Sequence, residues 1–227
     1  MAVLDVLAAS AKPMRLPEVA SSMGLSRPTA YQRLLTLVEA GWVEQDSEMR
    51  YRLSMHACRI AASALEQANL GARVQPVLEN LVHQVKETAS MAVLDRGLPC
   101  IIARFESESV LRAEQKIGTT MSLEGSASGR ILTAFADELT LRKLQESLEP
   151  LASEEILAVT RENGYALSSG YTQVGVMAIA APIFDLHGKC TATISLVLPQ
   201  TRFELEALRG PLIEAAKSIT KMQQGGR

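Results

Sequence analysis

The window GSASG, at residues 125–129, is the part of this sequence that comes nearest to a catalytic motif. It has the outline of the G-x-S-x-G nucleophile elbow, but that motif requires serine at its centre, where this chain has Ala127. His56, His83 and His187 have no evident acid with which to form a triad, and the chain has neither a P-loop nor a GxGxxG sequence. These motifs therefore predict no enzymatic activity and no cofactor.

The same window suits a second kind of chemistry, the binding of an anion. Small residues at the start of a helix leave backbone N–H groups approachable, and these groups together with the helix dipole favour a carboxylate. The alternative is that the glycines and serines only form a tight loop with a helix cap. The sequence leaves both interpretations open.

Residues 16–43 have the pattern of two short helices joined by a glycine turn. Pro17 is suited to the first turn of a helix, Gly24 to its end, and Ser26 to the cap of the second helix, which ends at Gly41. This is the helix-turn-helix signature, in which the second helix enters the major groove of DNA. An ordinary αα-hairpin is the alternative.

A β-hairpin is predicted directly after this helix pair, because residues 42–44 and 50–53 alternate around a turn-like segment. Arg50 and Arg52 share one face, and Tyr51 and Leu53 share the other. With a supporting helix ahead of the pair, lasting until about residues 12–13, these elements predict a winged helix-turn-helix. The predicted DNA-binding residues are Ser26, Arg27, Thr29, Tyr31, Gln32, Arg33, Arg50 and Arg52.

Composition is that of an ordinary globular protein, with 47% hydrophobic and 21% charged residues among 227 and a net charge of −2. Residues 1–56 carry as many acidic as basic side chains, so charge lends DNA binding only weak support. No apolar run approaches the ~20 residues of a membrane helix, and no signal peptide is evident. The three cysteines are far apart, which predicts a cytoplasmic protein without a disulfide framework or a metal site.

The rest of the chain predicts an α+β domain with an antiparallel sheet. Residues 54–69 form an alanine-rich helix whose small apolar face could pack against a second copy, and a further helix follows at 73–87. Strands are predicted at about 89–94, 100–103, 110–116, 165–168, 175–184 and 191–198. Helices are predicted after the GSASG window and at 139–148, 153–163 and 203–222.

The order of these elements resembles the IclR-type transcriptional regulators of bacteria and archaea. The resemblance covers nearly the whole chain and rests on LPEVASSMGLSRPTAYQRLLTLVEAGWVEQD, RYRLS, SASGRILTAF, ENGYALSSG, GVMAIAAPIFDLHG and TATISLVLP. It implies a winged helix-turn-helix at 1–56, a linker helix at 57–71 and a GAF/PAS-like effector domain at 72–227. It also implies a homodimer or tetramer on double-stranded operator DNA, with no membrane partner.

By position in the family pattern, the effector-binding residues are Ser126, Ala127, Ser128, Ser168, Ala178, Ser195 and Val197. The chain departs from that pattern where it has Gln32 in place of arginine, Glu124 in place of histidine, residues 168–170 in place of acids, and Ala178 in place of cysteine. The resemblance thus implies a site with one anion-binding end and a less polar, roomier far end. We expect a small organic acid as effector, with aromatic catabolites among the candidates.

The function expected from the sequence is that of a ligand-responsive bacterial transcriptional regulator. The main alternative is an effector-binding protein whose helix-turn-helix contacts another protein instead of DNA. An enzyme fused to a winged helix is the third class, which the failed catalytic motif disfavours.

Overall fold

The computed structural model describes residues 2–67, 70, 73–109, 116–171 and 174–225. The chain divides into two compact units, Met1–Gly71 and Ala72–Arg227. The predicted linker helix falls within the first unit by this division, and the predicted domain boundaries stay predictions. Each unit has its own sheet.

The described residues of the first unit form a three-stranded sheet and four helices. Its elements are α1 (Ala2–Ala9), β1 (Met14–Arg15), α2 (Leu16–Ser22), α3 (Arg27–Glu39), β2 (Val43–Gln45), β3 (Arg50–Leu53) and α4 (Met55–Gln67). The strands are antiparallel in the order β1-β3-β2. Val3, Leu7, Val19, Leu34, Val43 and Tyr51 form the buried core of this unit.

The second unit is built on a five-stranded antiparallel sheet in the order β5-β4-β8-β7-β6. Its strands are β4 (Thr88–Asp95), β5 (Leu98–Phe105), β6 (Ala166–Ser169), β7 (Val176–Phe184) and β8 (Cys190–Pro199). Its helices are α5 (Gln75–Val85), α6 (Ala127–Ala134), α7 (Glu138–Gln145), α8 (Glu154–Asn163) and α9 (Leu205–Gln224), with a 3₁₀ turn at Gln200–Arg202.

Both faces of the central strand β8 are covered, because every residue from 192 to 198 is buried. Helix α6 packs over β6, β7 and β8, where Ala127, Ile131 and Ala180 form a buried cluster. Helices α5 and α9 pack against each other and against the sheet. Because α6 packs on β6, β7 and β8, its first residues lie directly over the sheet.

The predicted α+β fold is confirmed, and the differences from the sequence prediction are local. Helix α1 ends at Ala9 instead of near residue 12. In the segment that follows, the Ser10 hydroxyl donates a hydrogen bond to the Lys12 carbonyl. The two-residue strand β1 was not predicted, since two residues are too few to show alternation. The strand predicted at 110–116 lies almost entirely outside the described residues, and the GAF/PAS-like assignment stays a prediction.

Candidate DNA-binding surface and effector cavity

Helix α3 begins at a side-chain cap and shows one face to solvent. Ser26 Oγ accepts a hydrogen bond from the Thr29 N–H at 3.3 Å, which satisfies one of the free N–H groups at the helix start. Ala30 and Leu34 are fully buried, which fixes the rotation of the helix about its axis. The predicted DNA-binding positions of this helix are all exposed, namely Ser26, Arg27, Thr29, Tyr31, Gln32 and Arg33.

The wing, strands β2 and β3 with their turn, presents its arginines on one face as predicted. Tyr51 between them is buried in the core of the unit, and this burial raises the pKa of its hydroxyl. Arg50 forms ion pairs with Asp46 at 2.9 Å and Glu48 at 3.1 Å, and Arg52 pairs with Glu44 at 2.6 Å.

These pairs change the charge that the surface can offer. The Arg50 backbone N–H and then its guanidinium hold the pKa of Asp46 below its usual value, so the wing carboxylate stays ionised. Within the described part of the chain, Arg27 and Arg33 make no ion pair. The open positive charge of this unit therefore lies on α3 more than on the wing.

In the second unit, a cavity lies between the start of α6 and the sheet. All seven predicted effector-binding residues line it: Ser126, Ala127, Ser128, Ser168, Ala178, Ser195 and Val197. They come from α6, β6, β7 and β8, so the fold brings together positions that are far apart in the sequence. Four further lining residues were not predicted, namely Met121, Tyr171, Val176 and Met177.

The α6 end of this cavity offers backbone donors. Ser126 caps the helix by accepting from the Gly129 N–H at 2.9 Å, and its own hydroxyl donates to the Ser122 carbonyl at 2.7 Å. The N–H groups of Ala127 and Ser128 have no acceptor among the described residues, although both residues are buried. Buried N–H groups are rarely left unpaired, so these two are available to an anion in the cavity.

Hydroxyl groups follow the sheet beneath α6. Thr193 donates to Ser128 Oγ at 3.1 Å, and Ser195 donates to the Ser90 carbonyl at 3.5 Å. Ser90 lies directly across from Ser195 on the neighbouring strand, and directly opposite residues of an antiparallel pair share a face. The buried Ser90 hydroxyl has no partner among the described residues. A polar ligand or a water is the kind of partner that such a group requires.

The cavity is smaller than the sequence predicts. Its volume is about 20 Å³, which is space for about one water molecule, whereas a roomy far end was expected. The prediction was wrong on this point because it omitted Tyr171 and Met121, which also line the cavity. No local pattern indicates that Tyr171, in the connection after β6, meets the loop before α6, since that contact depends on the tertiary fold.

The loop before α6 is also fastened to the edge of the sheet. Arg130 donates from Nε to the Glu124 carbonyl at 2.8 Å and from a terminal nitrogen to the Leu167 carbonyl. One side chain thus ties the loop at residue 124 to strand β6 next to Ser168. Arg130 was not among the predicted site residues, although its place one turn into α6 could have suggested a role near the helix start.

Nowhere in the described part of the chain do three or more His, Cys, Asp or Glu side chains come together as metal ligands could. Among the same residues, no helix combines the length and apolar character needed to cross a membrane.

Comparison with known families places both units in one family. Residues 1–47 match the model of the IclR helix-turn-helix domain, and residues 62–221 match that of the bacterial transcriptional regulator IclR C-terminal domain. The chain belongs to the IclR family. The resemblance recognised in the sequence motifs is thereby confirmed.

Several relatives match over nearly their whole length. The HTH-type transcriptional regulator BhcR of Paracoccus denitrificans is 30% identical, with 96% of this chain and 83% of that protein covered. The transcriptional repressor IclR of Escherichia coli is also 30% identical, with 99% and 88% covered. This IclR-family chain is accordingly a transcriptional regulator with a helix-turn-helix domain and a C-terminal effector domain, and it is not an enzyme.

Solved structures share its fold. An IclR transcriptional regulator from Alicyclobacillus acidocaldarius superposes with a TM-score of 0.81 at 24% identity, covering 98% of this chain and 96% of that one. An IclR homolog from Microbacterium hydrocarbonoxydans, solved in complex with 4-hydroxybenzoate, has a TM-score of 0.81 at 21% identity, covering 99% and 97%.

Proposed function

We propose that this IclR-family protein binds double-stranded operator DNA through α3 and the wing, and that a small organic acid in the α6 cavity modulates this binding. It acts as a homodimer or tetramer in the cytoplasm, where operator DNA is found. The observation that carries the effector half of the proposal is the pair of unpartnered N–H groups at the start of α6, those of Ala127 and Ser128, in residues that line the cavity.

On the DNA side, the exposed face of α3 supports a division of roles. Arg27, Thr29, Tyr31 and Gln32 lie near the start of the helix, where recognition helices meet base edges. Arg33 follows on the same exposed helix and is suited to phosphate. Arg50 and Arg52 also bind phosphate in this proposal. Each arginine must first break its ion pair with an acidic residue of the wing.

A gel-shift assay against the DNA that flanks the gene tests this half. We expect a specific complex whose affinity falls steeply with salt, as phosphate contacts require. A random duplex of equal length is the control. Absence of a complex with either duplex would favour the alternative in which the helix-turn-helix contacts another protein, and equal affinity for both would contradict specific operator binding.

On the effector side, the chemistry of the cavity favours an acid with further hydrogen-bonding groups. The Ala127 and Ser128 N–H groups, at a helix N-terminus, suit a carboxylate. The Ser168 and Ser195 hydroxyls, which also line the cavity, suit a hydroxyl or carbonyl oxygen on the same ligand. An aromatic acid is included in the proposal because a fold relative was solved with 4-hydroxybenzoate.

Calorimetry with glyoxylate, pyruvate, benzoate and 4-hydroxybenzoate tests this half. Filling the cavity by Ser128→Leu should abolish binding and leave DNA binding intact. Since Ser128 is buried and bonded to Thr193, leucine there also breaks a hydrogen bond. Ala178→Leu on the half-buried sheet side is the cleaner second variant. Unchanged acid binding in both variants would contradict the proposed site.

A further inference from the structure

Tyr171 lines the α6 cavity and contacts the loop before α6. A Cβ atom placed on Gly125 would fall 2.4 Å from Cδ2 and 2.9 Å from Cε2 of the Tyr171 ring. The ring therefore lies directly on the Gly125 backbone, in space that the side chain of any other residue would occupy. This contact joins the connection after β6 to the loop before α6.

A hydrogen bond holds the same ring at its far end. The Ser122 backbone N–H donates to the Tyr171 hydroxyl oxygen at 2.6 Å. The loop itself is firm at this point, because the Gly125 N–H donates to Ser122 Oγ at 2.9 Å and the Ser126 hydroxyl donates to the Ser122 carbonyl at 2.7 Å. Tyr171 thus bridges two walls by a ring contact and a hydrogen bond, while 40% of it remains exposed at the surface.

With the ring in this position, the cavity has room for about one water molecule. A carboxylic acid of even two carbons is larger than that. Movement of the Tyr171 ring off Gly125, and of its hydroxyl off Ser122, enlarges the cavity that Ala127 and Ser128 also line. The space then gained has the size and shape of an aromatic ring.

We propose that Tyr171 determines which ligands the cavity admits, by closing it over Gly125 and Ser122 and yielding its place to an aromatic acid. This inference rests on the proposed function of the cavity and adds the residue that sets its selectivity. Because opening the cavity costs free energy, the apparent affinity for every ligand equals the affinity of the open form multiplied by the fraction of molecules that are open.

The closed contact can be tested without any ligand, by hydrogen exchange of the Ser122 amide in the full chain. Tyr171→Phe keeps the ring and removes the acceptor, so we expect exchange at Ser122 to accelerate about threefold to tenfold, the value of one ordinary hydrogen bond. Tyr165→Phe makes the same chemical change at a tyrosine that does not line this cavity. Equal exchange at Ser122 in wild type and Tyr171→Phe would overturn the closure.

Selectivity is tested by opening the cavity from each wall in turn. Tyr171→Ala removes the ring, and Gly125→Ala keeps the tyrosine but places a methyl group where its ring lies. In calorimetry both should bind benzoate and 4-hydroxybenzoate at least tenfold more tightly than wild type, with glyoxylate affected less. Gly210→Ala, whose Cβ would meet nothing within 4 Å, controls for the glycine change.

The two variants differ in whether the Tyr171 side chain remains available to contact the ligand. Tyr171→Ala could lose ligand contacts, whereas Gly125→Ala retains them, so a gain in either variant supports the inference. Binding of aromatic acids that is unchanged or absent in both opened variants would overturn it. Failure of the proposed function has a different signature: acids would bind the opened variants and leave the affinity for DNA unchanged.

Discussion

At the scale of single residues, Gly129 has a packing role that its place in a small-residue window does not reveal. A Cβ atom there would lie 2.3 Å from the Ser122 carbonyl oxygen and 2.6 Å from the Leu123 Cα atom. Both are backbone atoms and cannot rotate aside. The glycine lets the loop before α6 run against the helix at this close distance.

Gly129→Ala should therefore destabilise the second unit by about 3 kcal/mol, the upper part of the range for overpacking. We expect a thermal melting temperature lower by roughly 5–10 °C. Gly210→Ala is the control and should be nearly neutral, because the gain in helix propensity is opposed by crowding against Pro211. A melting temperature of Gly129→Ala equal to that of the control would show that the loop can shift at little cost.

The residues of the cavity divide into those that a sequence can predict and those that it cannot. The family pattern predicts Ser128, Ser168 and Ala178 because each occupies a fixed place in a recognisable motif. Tyr171 has no motif of its own, and its partner Gly125 is 46 positions away in the chain. Only the tertiary fold shows that the two residues are in contact, and only the tertiary fold shows the small volume of the cavity.

At the scale of elements, α3 carries the test of base recognition. Arg27 is the first residue of the helix and has no ion pair within the described residues, so its charge is available to DNA. Arg27→Ala should cost about 1–3 kcal/mol on the operator and relax sequence preference. Competition gel shifts with operator and random duplexes measure both effects. A loss of equal size on the two duplexes would assign Arg27 to phosphate instead.

The wing carries a test of electrostatics. Glu48 is exposed and pairs with Arg50 at 3.1 Å, so it occupies a cation that phosphate could otherwise use. Glu48→Gln should raise affinity for operator and random DNA by the same factor and steepen the salt dependence. Glu206→Gln, an equal change of charge on α9 in the second unit, is the control. An unchanged affinity after Glu48→Gln would mean that the wing does not approach the DNA.

The sequence correctly predicts the elements that are long and have a clear periodicity. Helix α3 has a cap, an apolar side and a terminal glycine, and strands β7 and β8 have nine and ten residues of strand-forming sequence. Strand β1 has two residues and exists because β3 offers a free edge beside it. Local sequence contains no signal for a pairing of that kind.

At the scale of the whole molecule, α4 has little packing within the described part of its own unit, apart from an edge-on ring contact between His56, near its start, and Trp42. None of its residues is buried, although Ala57, Ile60, Ala61 and Ala64 form an apolar stripe by helical spacing. Ile60 is 43% exposed in the single chain. An amphipathic helix with so little internal packing is typical of a surface that pairs with another copy, and symmetric dimers match paired half-sites on DNA.

Ile60→Glu should therefore shift the protein towards monomer, because it places an isolated charge in an apolar contact. Light scattering at micromolar concentration, with and without operator DNA, measures the change. Operator affinity should fall with the loss of the dimer, since a monomer contacts only one half-site. Ala62→Glu introduces the same charge on the opposite side of α4 and should leave the mass unchanged. A monomeric wild type, or a dimer that survives Ile60→Glu, would exclude this stripe as the contact between subunits.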